Sequence, residues 1–347
     1  MLFRTLPEDG FRRLVEVMLE EIEVVGPRRV GTRADESPIH QYLPVSSFDE
    51  LDLDYQATEY SAKTYFLPYR ENLSTYAFDD DGWEQEIRYR AQPRAIVGLH
   101  ACDIHGLLKL DRVFARDFFP SPYYIARRRN TFIVGMDHEP CEGGFCRSLG
   151  TDTVTHGFDL YLTDLGDRIF VAVGSDRGFT LVQRIGAAEI TDHDTADYLA
   201  ERQRLAAFPQ PEVHVRNLPN LLDIEFESDV WERWGSRCLS CGSCAMVCPT
   251  CYCYGVSERV SMDFSRGAKV KQLYSCNLVD FAEVAGGHNF RPDRVTRLKY
   301  RYYHQHRGFV EEHDVPKCVG CNRCGRTCLA GIAPAEVIRD LQAEEDA

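Results

Sequence analysis

Two short stretches hold residues whose types and spacing could do chemistry. Residues 238–253 read CLSCGSCAMVCPTCYC, with six cysteines in sixteen positions, and residues 318–328 read CVGCNRCGRTC. Cys238, Cys241, Cys244 and Cys248 follow the spacing C-x2-C-x2-C-x3-C, with Pro249 next; Cys318, Cys321, Cys324 and Cys328 repeat it. This is the bacterial ferredoxin run. Three closely spaced thiolates wrap one cubane cluster, and the fourth, displaced cysteine ligates the other cluster. On that rule Cys238, Cys241, Cys244 and Cys328 hold one [4Fe–4S] cluster, and Cys318, Cys321, Cys324 and Cys248 hold a second. Zinc is the competing reading, but zinc sites usually pair two C-x2-C hooks and rarely use a triple hook with a trailing cysteine.

The second motif carries Leu329 where proline is usual. Proline there shapes the backbone and is not a ligand, so the cluster assignment stands. The segment between Cys248 and Cys318 is too long for the hairpins of a small ferredoxin and suits a helical two-cluster type. Cys251, Cys253 and Cys276 lie inside it. They read as buried neighbours of a cluster, or as thiols donating S–H to its sulfides.

A third group sits earlier. Cys102 follows the apolar run Arg94–Leu99, and His138, Cys141 and Cys146 follow the run Thr131–Met136. In open α/β sheets cofactors bind beyond the carboxyl ends of the strands. Two adjacent strand ends would gather these residues, and three cysteines with one further ligand could hold a third iron–sulfur cluster. The candidates for that ligand are His138, His105 and Asp103. The competing reading makes Asp103 a helix N-cap, His105 a helix-face histidine and the cysteines inert.

The elements that must position these residues read as follows. Residues 7–21 form an amphipathic helix beginning at Pro7, with Phe11, Leu14, Val15, Met18 and Leu19 on one face. EVVGPRRVG reads as a short strand and turn, and the polar, acidic stretch 33–60 as a surface segment. Pro68 argues against a long central strand in KTYFLPYRENLSTY. The run 94–99, a turn at 100–103, a helix over 104–116 capped by Asp103, and the run 131–136 make a βαβ unit with parallel strands. FDLYLTDLGDRIFVAV reads as two strands about a turn. Residues 195–207 are helical, and Pro209 and Pro211 mark a linker. Beyond about 215 the chain reads as mainly helical. The expected fold is an α/β domain over 1–210, with a parallel βαβ core and an antiparallel hairpin region, followed by a helical ferredoxin domain over 215–347.

Composition narrows the classes. The chain has 347 residues, 14 cysteines and a formal net charge of −14. The acidic balance argues against a general nucleic-acid binder. No apolar run approaches the roughly 20 residues that span a bilayer, and the N-terminus lacks a signal-peptide pattern. The expected location is the cytoplasm, where so many cysteines argue for metal or redox chemistry rather than disulfides. There is no G-x-G-x-x-G after a strand and no Walker A run, so nothing points to nucleotide or flavin binding by this chain.

CLSCGSCAMVCPTCYC, YSCNLVDFAEVAGGHNFRPDRVTRLKYRYYH and CVGCNRCGRTC resemble the β subunit of soluble group 3 [NiFe]-hydrogenases, the sulfhydrogenases. They equally resemble the iron–sulfur electron-transfer subunit of anaerobic sulfite reductase. YFLPYRENL, ACDIHGLLKLDRVF and GFDLYLTDLGDR extend the resemblance over nearly the whole chain. It implies an electron-transfer subunit without an active site of its own. Such a subunit links a flavoprotein that exchanges hydride with NAD(P)H to the small and large hydrogenase subunits, or to the catalytic subunit of a sulfite or sulfur reductase. The chain departs from the family in the loop after the second strand, where His138 and Gly144 stand at positions that tend to be cysteine and Cys141 is offered instead. The reading set against a relay is a sulfur-reducing enzyme in its own right, which needs an open coordination site or a basic substrate pocket. All-thiolate ligation leaves no such site.

Overall fold

The computed structural model describes residues 2–80, 82–89 and 91–345. The first strand, β1, spans Leu2–Pro7 and helix α1 spans Gly10–Leu19. The helix expected from Pro7 therefore starts three residues later, and Pro7 is instead the last residue of an interior strand, standing opposite Arg168. Strand β2 (Glu23–Thr32) is longer than expected, and β3 (Pro38–Val45) occupies part of the stretch expected to be a surface segment. Next come β4 (Arg70–Asp79) and β5 (Gly82–Glu86). Pro68 precedes β4 and leaves it free to be an interior strand, contrary to expectation.

The expected βαβ unit is present as β6 (Arg94–Leu99), α2 (Ala101–Phe114), α3 (Pro122–Arg129) and β7 (Thr131–Met136). Helix α2 begins at Ala101, with His100 as its N-cap residue; Asp103 lies in the first turn and is not the cap. The expected hairpin is β8 (Leu160–Asp164) with β9 (Arg168–Val173). Helix α4 (Asp176–Arg184), the short β10 (Ala188–Glu189) and α5 (Asp192–Ala206) complete the α/β part.

These strands form one eight-stranded mixed sheet in the order β10-β1-β9-β8-β7-β6-β2-β3, with the central pairs β2/β6, β6/β7 and β7/β8 parallel. Both faces are covered. Alternation along β6 sends Ala95 and Val97 into a core shared with Leu14, Val15 and Met18 of α1, and Ile96 into a core shared with Ile104, Leu107 and Leu110 of α2, which Leu99 joins through the register shift at Gly98. A strand buried on both faces needs such an unbroken apolar run. Each of these large aliphatic side chains contributes about 1.5–3 kcal/mol by leaving water.

The second half holds α6 (Leu218–Ile224), α7 (Asp229–Gly235), α8 (Ser243–Val247), α9 (Arg294–Tyr303), α10 (Phe309–His313), α11 (Arg323–Arg326) and α12 (Pro334–Glu345). It is not only helical. Strands β11 (Tyr254–Val260) and β12 (Arg266–Leu273) form a hairpin that joins β4 and β5 in an antiparallel sheet of order β11-β12-β4-β5. One sheet thus draws strands from both sides of the expected boundary near residue 210. A separate core of Leu221, Leu222, Trp231, Trp234, Leu298 and Val337 holds the helices together.

Candidate metal centres

The two cysteine motifs adopt the same backbone course. Ser240 and Gly242 in the first, and Gly320 and Asn322 in the second, occupy matching positions, and all four have positive φ. A short helix follows each pair, α8 and α11. The left-handed residues turn backbone N–H groups inward. Ser240 N–H points at Cys238 Sγ at 3.4 Å, and Gly320 N–H at Cys318 Sγ at 3.3 Å. Gly320 is required for a second reason. A Cβ there would stand 2.6 Å from the backbone of Phe145 and Cys146.

Two neighbouring cavities open beside these turns. One is lined by Cys238, Cys241, Cys244 and Cys328, with Cys324 on its wall. The other is lined by Cys248, Cys318, Cys321 and Cys324. The trailing cysteine of each motif therefore stands in the cavity of the other motif's triplet. Among the described residues, no three His, Cys, Asp or Glu side chains converge as they would on a single metal ion. The thiols stand around spaces instead.

The charges around these cavities suit an anionic inorganic cluster. Lys63, Lys109, Arg301, Lys317 and Arg323 are all buried, and buried cations are costly unless paired. Among the described residues, only Arg323 of these five has a carboxylate partner, Asp103, at 2.7 Å. Lys63 Nζ donates to the Cys251 carbonyl at 2.8 Å, and Lys109 Nζ to the Cys318 carbonyl at 2.6 Å. Burial holds the Lys109 ammonium down to about 8. Lys317 lies 3.8 Å from the Tyr252 ring centroid. Burial also pushes the free thiols of Cys244 and Cys318 up to about 12; only a bound cation would make them thiolates near neutrality. A cluster held by four thiolates carries net negative charge, which would answer both features. None of the five cations was singled out from the sequence, because a lysine or arginine reads as surface until its surroundings are known.

The unassigned cysteines lie beside the ligand set. Cys251 packs in one buried cluster with Cys248, and Gln305 Nε2 donates to Cys251 Sγ at 3.2 Å. The neighbouring Cys276 holds the Cys253 thiol down to about 6. Asn277 Nδ2 donates to Cys244 Sγ at 3.3 Å.

The N-terminal group is partly assembled. Cys102, His138 and Cys146 line one cavity, and the neighbouring Cys146, with burial, pushes the Cys102 thiol well up. They share an apolar cluster with Val319 and Cys321 of the second motif. Cys141 stands to one side, its thiol 3.0 Å from the Cys321 carbonyl oxygen. His138 is stacked on His100 with ring centroids 3.4 Å apart. Burial, then the charge of Arg323, hold it neutral down to about pH 3. The other two ligand candidates have different roles. His105 Nε2 is 2.7 Å from the Thr153 carbonyl oxygen, and Asp103 is the partner of Arg323.

The whole arrangement sits beyond the carboxyl ends of β6 and β7. Thr151 Oγ1 donates to the Val319 carbonyl at 2.7 Å, Phe145 N–H to the Gly320 carbonyl at 2.8 Å, and Asn322 Nδ2 to the Glu142 carbonyl at 3.0 Å. Gly106 lets α2 approach the first motif; a Cβ there would be 2.9 Å from Pro249.

Comparison with known proteins agrees with this chemistry. Residues 237–332 match the 4Fe-4S dicluster domain. The chain is 34% identical over 340 residues to the sulfhydrogenase 2 subunit beta of Pyrococcus furiosus, a match covering 96% of this chain and 95% of that protein. No solved structure matches. Among the described residues, no helix is long and apolar enough to cross a membrane. On the extent of that identity, the chain is an iron–sulfur protein that belongs to the sulfhydrogenase β-subunit family.

Proposed function

We propose that this chain is an electron relay carrying two [4Fe–4S] clusters, one on Cys238, Cys241, Cys244 and Cys328 and one on Cys318, Cys321, Cys324 and Cys248. The observation that carries the reading is the exchange of trailing cysteines between two adjacent cavities. When bound, such clusters supply one-electron transfer. The chain's residues do the rest. Four thiolates close each cluster, backbone N–H groups donate to Cys238 and Cys318, and buried cations favour the more negative state.

The relay works between partners in the cytoplasm. A flavoprotein that takes hydride from NAD(P)H stands on one side and a catalytic unit on the other, most simply a [NiFe]-hydrogenase. The relative's name describes a subunit of a sulfhydrogenase, which favours hydrogenase over a sulfite-reducing unit. Cys102, Cys146 and Cys141 with His138 form a further centre beside the second cluster. The neutral imidazole of His138 and its cavity shared with Cys102 and Cys146 support that assignment.

The test is an assay of the cluster-loaded chain alone against NAD(P)H with H2, sulfite and polysulfide. The expected result is reduction by a small one-electron donor without turnover, and turnover only once flavoprotein and catalytic partners are added. Turnover at an enzymatic rate by the chain alone would instead favour a sulfur-reducing enzyme.

A further inference from the structure

Among the described residues, Arg301 is the arginine that faces both cysteine cavities. It lies on α9, is 8% exposed, and lines both cysteine cavities. Cys244 of the first proposed ligand set lines the first of these cavities with it, and Cys324 of the second lines both. Cys324 stands on the same cavity walls, and among the described residues Arg301 Nη1 is buried with no hydrogen-bond partner.

Its neighbour one turn earlier shows the contrast. Arg297 satisfies its guanidinium on the carbonyls of Asn277, Arg291 and Pro292 and on Ser240 Oγ. Arg297 is thus a structural clamp on the first motif. A buried donor left without an acceptor costs about 1–3 kcal/mol, more when charged. Such a side chain is stable only if the cavities it borders supply acceptors. After Tyr303 the helix runs into a π-helical turn over His304–Gly308, a feature frequent at functional sites. That turn brings Gln305 to Cys251 and His306 to the second cavity while α9 keeps Arg301 between the two.

We propose that Arg301 is a shared cation between the two clusters, donating to sulfur on both and raising the reduction potential of each. The inference rests on the two-cluster reading above. Each cluster becomes more negative by one charge on reduction. A fixed positive charge in a low-dielectric wall stabilises that state strongly, because Coulomb energy scales inversely with the local dielectric. A cation facing both cavities does this for both clusters, and it screens the second electron from the first. A guanidinium suits the position. It stays charged and offers donors in two directions, which a lysine ammonium does less well.

The test compares Arg301→Gln, Arg301→Met and Arg301→Lys in the full chain by iron content and by EPR-monitored redox titration. The expected result is about eight irons in each variant, four per cubane. Both midpoint potentials should fall in the Gln and Met variants and stay closer to wild type in the Lys variant. Full iron with unchanged potentials, or a shift in only one cluster, would overturn the proposal. A second measurement needs no neutral variant. Protein grown on guanidino-15N arginine should show nitrogen coupling to the reduced clusters by pulsed EPR, and that coupling should weaken in Arg301→Lys. If the Gln and Met variants lose iron, this spectrum decides; identical coupling in wild type and Arg301→Lys overturns the inference. A wild-type chain with fewer than two clusters would overturn the two-cluster reading itself, and this proposal with it.

Discussion

Cys248 sits four residues from Cys244 in the chain, yet it lines the cavity of Cys318, Cys321 and Cys324. Cys248→Ser should therefore damage the cluster of the distant triplet and spare that of Cys238, Cys241 and Cys244. EPR of the reduced variant with iron analysis checks this; loss of the 238–244 cluster alone would mean the pairing is wrong. The N-terminal thiols allow a parallel test. Cys102→Ala and Cys146→Ala should each remove the same third centre and leave both cubanes intact. Unchanged iron and unchanged signals in both would make them ordinary buried cysteines. At this scale the eight ligand candidates were legible from spacing, because the ferredoxin turn is a local structure with its own sequence rule. The buried cations were not. Nothing about Lys63, Lys317 or Arg301 in the sequence says that another segment will cover it. The ligand choice in the N-terminal group was equally hidden, since Asp103 and His105 are adjacent in sequence to Cys102 but turn to Arg323 and Thr153.

Helix α2 is the element on which the two halves meet. Its Asp103 pairs with Arg323 of α11, both almost fully buried, and Arg323 also donates to the Thr58 carbonyl at 3.0 Å. Removing one partner of a buried pair leaves an uncompensated charge, which costs about 3–5 kcal/mol. Asp103→Ala should lose about that much in denaturant unfolding. The double change Asp103→Leu with Arg323→Met should recover most of it. A loss under about 1 kcal/mol in the single variant, the range of a surface pair, would show that water or another anion compensates Arg323. The β6-α2-β7 unit was legible because its periodicity is strong and its contacts local. Strands β1 and β3 were missed because each is short or polar on one face. The hairpin of β11 and β12 was missed because β11 is almost wholly exposed and its stabilising partner, β4, lies far away in sequence.

The molecule as a whole carries a formal charge of −14, yet it buries Arg301 in the walls of two thiol-lined cavities and Lys63 and Lys109 on the backbone carbonyls of Cys251 and Cys318. That inversion is the physical signature of a chain built to hold anionic clusters within an acidic surface. The eight-stranded sheet gives those cavities a rigid base, and the ferredoxin-like half closes over the ends of its central strands. The most direct check is metal and acid-labile sulfide analysis of the anaerobically purified chain. The account predicts at least about eight irons with matching sulfide, four per cubane, and no stoichiometric zinc. One or two zinc ions per chain with little iron would contradict it.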